Sequence, residues 1–213
     1  MADKYPSLSP YTYCGNNPVK LVDPDGDSLI NYYDRIVKTA QEQYNRAVSR
    51  NVSDLSHEIN VLNDAQSRYD YVNQFIRGLT DEQYQTLNNI KDEDGNLINI
   101  VVRVDYNLKT VAANKPQWTS DKRLCNGELN IYINPNKNEH NQESNIPMFD
   151  WKRVSRHEGG HVYYIIQHHK TYYDWLNNKG YIKNGVVDPN YGGHDNDDKS
   201  ARYSRIWEMG IVE

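Results

Sequence analysis

The segment His157-Glu158-Gly159-Gly160-His161 places two imidazoles four residues apart with a carboxylate between them. On a helix, positions i and i+4 lie on one face, one above the other. Two imidazoles placed in this way can reach one metal ion at about 2.0–2.1 Å. The carboxylate projects beside the ion, where it can take a proton from bound water and pass it to a leaving group. The segment therefore predicts a metal-binding helix with Glu158 as a general base.

The flanking sequence favours a helix at this position. Asp150 can cap its start, and helix breakers are absent from residues 151–170 except for Gly159 and Gly160. An apolar face accompanies the histidines at Val154, Val162, Ile165 and Ile166. Each glycine costs about 1 kcal/mol relative to alanine in mid-helix. We expect close approach of a substrate, a strand or another helix to be the reason for both glycines.

A catalytic zinc ion needs a third protein ligand and an open position. His168 lies two turns, about 10 Å, beyond the histidine pair and cannot reach the same ion from a straight helix. The remaining candidates are acidic or imidazole side chains near the end of the chain: His194, Asp195, Asp197, Asp198 and Glu208. A polar helix predicted after Asp198 would carry Glu208. We expect Glu208 to be the third ligand, with His194 as the alternative.

Stabilisation of a transition state needs a hydrogen-bond donor that faces the developing oxyanion. Tyr203, Tyr191 and His194 are the candidates in this part of the chain, and the sequence does not distinguish them.

The rest of the chain predicts an α+β fold. Helical spacing of apolar residues runs over 29–48 and, after Ser53 as the expected N-cap, over 55–76. Thr80 and Gln83 form a capping box for a short third helix that extends to about residue 90. Period-two alternation then predicts two strands, at 98–104 and 128–134. The expected architecture is a helical N-terminal half, a small mixed or antiparallel sheet, and the HExxH helix beneath the sheet.

Composition excludes some classes of function. The formal charge of the 213-residue chain is −5, and its acidic and basic residues are interspersed, without the basic stripe typical of nucleic-acid binding. The acidic run 194–198 nevertheless keeps a nuclease as a minor alternative. Cys14 and Cys125 predict two free thiols. No apolar run approaches a membrane span, and the first residues do not form a signal peptide.

Residues 2–26, ADKYPSLSPYTYCGNNPVKLVDPDG, resemble the end of an Rhs-repeat (YD-repeat) core of large bacterial surface or secreted proteins. The Tyr-x-Tyr, Asn-Asn-Pro and Asp-Pro-x-Gly elements occur in the order and spacing of that family. The resemblance implies that residues 1–27 are the remnant of the core and that residues 28–213 are a C-terminal effector or toxin domain. A longer, exported parent protein, delivery into or onto a target cell and a cognate immunity protein are further implications.

The HExxH helix, its glycines and the strand before it resemble a zincin metallopeptidase. Tyr164 and Gln167 stand where a metzincin has Gly and His, whereas a glutamate on a second helix is the gluzincin arrangement. The resemblance implies that residues 128–134 form the sheet edge along which a peptide substrate lies. We therefore expect a zinc-dependent peptidase with His157, His161 and Glu208 on the metal. The alternatives are a binding module that retains a zinc site without catalysis and, less favoured, a nuclease.

Overall fold

The computed structural model describes residues 28–139, 151–188, 191 and 197–212. They form a mixed α+β fold, as predicted. The helices are α1 (Asp34–Ser49), α2 (Ser56–Ile76), α3 (Asp81–Asn88), α4 (Pro135–Glu139), α5 (Trp151–Gln167), α6 (His169–Asn178) and α7 (Lys199–Glu208). The strands are β1 (Leu29–Asn31), β2 (Asn99–Val104), β3 (Ala112–Lys115), β4 (Glu128–Ile133), β5 (Ile182–Lys183) and β6 (Val186–Val187).

The main sheet is mixed, with the strand order β1-β2-β4-β3. The first three of these strands are parallel, and β3 runs antiparallel to β4, with Asn114 opposite Ile131. The prediction that residues 128–134 form an edge strand is therefore wrong, because β4 lies between β2 and β3. The edge beside β4 is β3, whose sequence Ala-Ala-Asn-Lys lacks the apolar alternation that would have revealed a strand.

The core lies between the sheet and its helices. Ile100, Val101 and Val102 of β2 are all fully buried, which is typical of a parallel strand covered on both faces. α2 packs against β2, and α5 packs against β3. The most completely buried apolar residues of α2 and α5 are Val72, Phe75, Val162, Ile165 and Ile166. This packing fixes α5 beside the antiparallel edge of the sheet.

Two N-terminal boundaries differ from the prediction. Leu29 belongs to β1 rather than to the first helix, because residues 29–31 pair with β2 and Ile100 donates a 2.6 Å backbone hydrogen bond to Ser28. Ser53 does not cap α2; Asp54 Oδ1 accepts the backbone N–H of Ser56 instead, at 2.9 Å. A short apolar run is compatible with either a strand or a helix, and only the neighbouring strand resolves it.

Other local predictions are confirmed. Thr80 and Gln83 form the capping box of α3. β2 and β4 coincide with the two predicted strands within one residue at each end. The polar helix α7 begins after Asp198, whose carboxylate accepts the N–H of Ser200 at 2.8 Å.

The predicted helix over residues 151–170 is in fact two helices. α5 ends at Gln167, and His168 has the non-helical angles φ −135° and ψ 33° before α6 begins. His168 therefore does not continue the histidine-bearing face of α5.

Some predictions fall outside the described residues, namely the arm of residues 1–27 with Cys14, and the cap Asp150. Cys125 is a free thiol. Among the helices that the structure describes, none has the length and apolar character needed to cross a membrane.

Candidate metal centre

His157 and His161 direct their Nε2 atoms toward each other from α5, at a separation of 3.2 Å. Two imidazole ligands about 2.05 Å from one tetrahedral ion stand about 3.3 Å apart. The observed separation therefore matches that of two ligands on a shared ion. The side chain of His157 is 22% exposed, whereas His161 is buried, so the pair lies at the boundary between core and solvent.

The opposite nitrogen of His157 is held by Glu208. Nδ1 of His157 lies 2.6 Å from Glu208 Oε1, and Arg153 Nε donates to the other carboxylate oxygen at 3.0 Å. A carboxylate oxygen accepts hydrogen bonds, so His157 donates from Nδ1 and carries its proton there. This tautomer leaves the lone pair of His157 on Nε2, which is the atom that faces His161.

His161 is oriented by a hydroxyl and a second carboxylate. Its Nδ1 lies 2.9 Å from Ser200 Oγ, and Ser200 Oγ donates its one proton to Asp198 Oδ1 at 2.7 Å. The hydroxyl oxygen must then accept from Nδ1, and His161 takes the same tautomer as His157. Tyr191 donates a 2.6 Å hydrogen bond to the other oxygen of Asp198 and fixes the carboxylate in turn.

The two histidines therefore point two lone pairs into one small region. A cation between two neutral nitrogens arranged in this way offsets their mutual repulsion, and neutral imidazole is a common ligand of divalent metals. Hydrogen bonds at the rear nitrogen are the usual means by which proteins fix metal-binding histidines. His157 and His161 thus fit a divalent transition-metal ion.

Glu208 lies close to the two histidines, but it contacts Nδ1 of His157 rather than facing Nε2, as a third metal ligand would. Its carboxylate is at Nδ1 of His157, behind the ring, so it does not face the region that the two Nε2 atoms share. The placement corresponds to a residue that orients a ligand, and the prediction of Glu208 as third ligand does not match it. In the part of the chain that the structure describes, no third acidic, thiol or imidazole ligand joins the two histidines.

The other predicted ligands divide into two groups. His194 and Asp195 lie outside the described residues. Asp197 pairs with Lys179 at 2.8 Å, and both oxygens of Asp198 are engaged by Ser200 and Tyr191. Asp198 therefore helps to orient His161 through Ser200.

Glu158 is buried beside the histidines, with 8% of its surface exposed. Its Oε2 accepts a 2.6 Å hydrogen bond from Asn114 Nδ2 of the edge strand β3. Burial raises the pKa of Glu158 to about 7, and the hydrogen bond from Asn114 opposes that rise. A carboxyl with a pKa near neutrality can both accept and release a proton under physiological conditions.

Asn114 was not identifiable from the sequence. A single asparagine in a short polar segment matches no motif. It reaches Glu158 only because β3 adds to the sheet antiparallel to β4 and lies against α5.

Gly159 and Gly160 allow α7 to approach α5 closely. A Cβ on Gly160 would lie 2.6–2.8 Å from backbone atoms of Tyr203 and Ser204, which real structures do not tolerate. A Cβ on Gly159 would lie 3.1 Å from the ring of Trp207, a tight contact with a side chain. Of the reasons expected from the sequence, close approach of another helix is the one observed. The approach brings both ends of α7 to the histidines.

Two tyrosines predicted as oxyanion donors occupy other contacts. Tyr191 donates to Asp198, and its ring stacks on Tyr181 with a centroid separation of 4.3 Å. The ring of Tyr203 packs between Tyr163 and Tyr164, with centroid separations of 6.0 and 5.0 Å. These contacts do not assign either hydroxyl to an oxyanion.

The centre thus combines two convergent imidazoles, a buried carboxyl with a near-neutral pKa, and an edge strand hydrogen-bonded to that carboxyl. These features are among the parts that metal-assisted hydrolysis requires. No protein-family model matches the chain, and no curated protein or solved structure matches it either.

Proposed function

We propose that the chain is a zinc-dependent peptidase of the zincin type. The observation that carries the proposal is the 3.2 Å separation of two Nε2 atoms whose rear nitrogens are both held by acceptors, next to a buried carboxyl. His157 and His161 would hold the zinc ion. When bound, zinc supplies a Lewis acid that polarises a carbonyl and acidifies a water molecule.

Glu158 is the proposed general base. Its raised pKa, about 7, suits a group that takes a proton from the attacking water and later gives it to the leaving amine. Asn114 positions this carboxyl by holding one of its oxygens, Oε2.

Glu208 and Ser200 are proposed as positioning residues. Each holds the rear nitrogen of one histidine and thereby keeps Nε2 directed at the ion. His194, the alternative ligand from the sequence, remains the prediction for the third coordinating side chain.

The edge strand β3 favours a peptide substrate. Among the described strands, β3 is the last of its sheet and pairs only with β4. An extended peptide can add to such an edge through main-chain hydrogen bonds. A peptide on β3 would lie next to Asn114 and, through it, Glu158. Together with the net charge of −5, this arrangement favours a peptidase over a nuclease.

The resemblance of residues 2–26 to an Rhs core adds a biological role to the proposal. The peptidase would be the C-terminal effector domain of a larger exported bacterial protein. It would act on a protein of a target cell, and the producing cell would carry an immunity protein against it. This part of the proposal rests on the sequence resemblance alone.

A binding module without catalysis is the second candidate function. The observation that favours it is the 2.6 Å bond from Asn114, which already occupies one oxygen of the buried Glu158. Such a module would keep the metal and lack hydrolysis.

Metal content and cleavage, measured on the same samples, test these functions. Parent, Glu158→Gln and the double variant His157→Ala/His161→Ala would be loaded with zinc and incubated with casein and a broad peptide library. A matched control is Glu42→Gln on the exposed face of α1. We expect Glu158→Gln to keep the zinc that the double variant loses, and only the parent and the control to cleave.

Other results of this experiment would favour a different function or contradict the role of Glu158. Zinc binding at the histidines without cleavage of any peptide by the parent supports the binding module. Cleavage of DNA or RNA that survives Glu158→Gln supports a nuclease. Cleavage of peptides that survives Glu158→Gln contradicts the proposed role of this carboxyl.

A further inference from the structure

A second group of metal-ligand side chains lies where α5 meets α6, eight residues beyond His161. Asp92 and Asp94, in the turn between α3 and β2, each bring a carboxylate oxygen close to a ring nitrogen of His169. The three ligand atoms lie within 4.8 Å of one another. His169 Nε2 and Asp94 Oδ2 are 4.0 Å apart, longer than the about 3.4 Å between two ligands of one tetrahedral ion, so the partly exposed Asp94 side chain would move slightly inward to bind.

The surroundings of His169 provide independent evidence for a bound cation. The side chain of His169 is fully buried, and its Nε2 has no hydrogen-bond partner among the residues that the structure describes. Nδ1 lies 3.4 Å from the carbonyl oxygen of Ile166 and 3.3 Å from Glu93 Oε1. Two acceptors at Nδ1 keep the proton there, so Nε2 presents a lone pair toward Asp94. A buried lone pair without a donor carries a desolvation cost, which a cation at this position would remove.

The turn that supplies the aspartates is already fixed in place. Asp92 is buried, and its Oδ1 accepts the backbone N–H groups of Asp94 and Asn96 at 2.9 and 2.8 Å. Glu93 Oε1 accepts the backbone N–H of Lys170 in the first turn of α6 at 2.8 Å. The carboxylates are therefore held against α6 before any ion arrives, which lowers the ordering cost of binding.

Lys170 neutralises part of the negative charge of Asp94. Its Nζ lies 2.5 Å from Asp94 Oδ1, and the lysine side chain is 39% exposed. A flexible, half-exposed ammonium group can swing into solvent when a divalent ion binds. Lys170 should therefore act as a competitor whose removal strengthens binding.

We propose that Asp92, Asp94 and His169 form a second metal site, with Nε2 and one oxygen of each carboxylate as ligands. One imidazole with two carboxylates suits a divalent transition-metal ion such as Zn²⁺ or Co²⁺, whereas Mg²⁺ and Ca²⁺ prefer all-oxygen sets. The ion would join the α3–β2 turn to the α5–α6 corner. The site is independent of the proposed peptidase, because none of its residues contacts His157 or His161 among the interactions described above.

The test uses the full chain with the first site removed. His157→Ala/His161→Ala would be stripped with chelator and dialysed against Zn²⁺ or Co²⁺, and bound metal measured by mass spectrometry and Co²⁺ absorption. We expect about one equivalent to remain, as one site predicts. Adding Asp94→Asn or His169→Gln should weaken binding at least about tenfold, and adding Lys170→Met should strengthen it.

Controls separate loss of a ligand from loss of the fold. Asp64→Asn removes a carboxylate from an exposed ion pair on α2 and should leave binding unchanged. Circular dichroism in chelator reports whether each variant folds. If His169→Gln does not fold, the proposal is judged on Asp94→Asn and Lys170→Met. These two side chains are partly exposed, so we expect their replacement to leave the fold intact. The proposal is overturned if the double variant binds no metal above the buffer blank, or if binding is indifferent to Asp94 and Lys170.

Discussion

Asn114 Nδ2 donates a 2.6 Å hydrogen bond to Glu158 Oε2 and so links the antiparallel edge of the sheet to the histidine-bearing helix. The link joins two requirements of the proposed reaction. β3 offers a main-chain edge for an extended peptide, and Glu158 supplies the proton transfer. A peptide on that edge would therefore be next to the group that acts on it.

Removing this hydrogen bond should shift the pH dependence of hydrolysis. The bond from Asn114 lowers the pKa of Glu158, so Asn114→Ala should raise that pKa further above 7. Because the base works only when it is ionised, the acidic limb of kcat/KM should move to higher pH. Asn130→Ala on β4, which removes a hydrogen bond to Glu128, is the control. An unchanged acidic limb in Asn114→Ala would show that Glu158 is not the titrating base.

Glu158 should also destabilise the metal-free protein at high pH. Its carboxyl loses a proton near the ordinary value of 4.5 when unfolded but near 7 when folded. The folded state therefore binds more protons between these values, and stability falls as pH rises through that window. Above pH 7 the loss is about 3 kcal/mol. Glu158→Gln does not titrate, so urea unfolding in chelator should find it more stable than the parent at pH 8 and much closer to it at pH 4.

Gly160→Ala should disrupt the centre more than Gly159→Ala. The new methyl group at 160 would lie 2.6 Å from the backbone of Ser204 and push α7 away, whereas the methyl group at 159 would lie 3.1 Å from the ring of Trp207 and need a shift of only a few tenths of an ångström. Displacement of α7 moves both Ser200 and Glu208. Zinc titration of the two variants should find the larger loss of affinity in Gly160→Ala, even though alanine is the better helix former. Equal affinities would indicate that α7 does not hold the histidines.

Glu208 should behave as a positioning residue. Glu208→Gln keeps an acceptor for Nδ1 of His157, and Glu208→Ala removes it. Loss of such a partner typically costs 10- to 100-fold in metal affinity. We therefore expect zinc affinity to fall by about that factor in Glu208→Ala and to recover largely in Glu208→Gln. Loss of binding in Glu208→Gln as complete as in His157→Ala would show that the carboxylate is a direct ligand.

The sequence predicted those parts of the fold that have a strong local signal. The HExxH helix, the capping box of α3, the strands β2 and β4 and the polar helix α7 each follow from periodicity or capping residues. β1 and β3 did not, because strands of three and four residues carry too little pattern. The sequence therefore predicts β4 as the edge of the sheet, whereas the edge next to Glu158 is β3.

The candidate site was likewise predicted only in part. The convergence of His157 and His161 follows from helical spacing. The position of Glu208 behind the ring depends on how closely α7 packs against Gly160, a distance that sequence patterns do not encode. Asn114 comes from another element altogether, and its contact with Glu158 is a consequence of sheet topology.

The central claim is that His157 and His161 share one zinc ion. Its most direct test is an anomalous difference map at the zinc edge from crystals of the zinc-loaded chain. We predict a peak about 2.0–2.1 Å from Nε2 of both histidines, with Glu208 remaining at Nδ1 of His157. A map with no peak between the two imidazoles, in crystals whose zinc content is confirmed, would contradict the account.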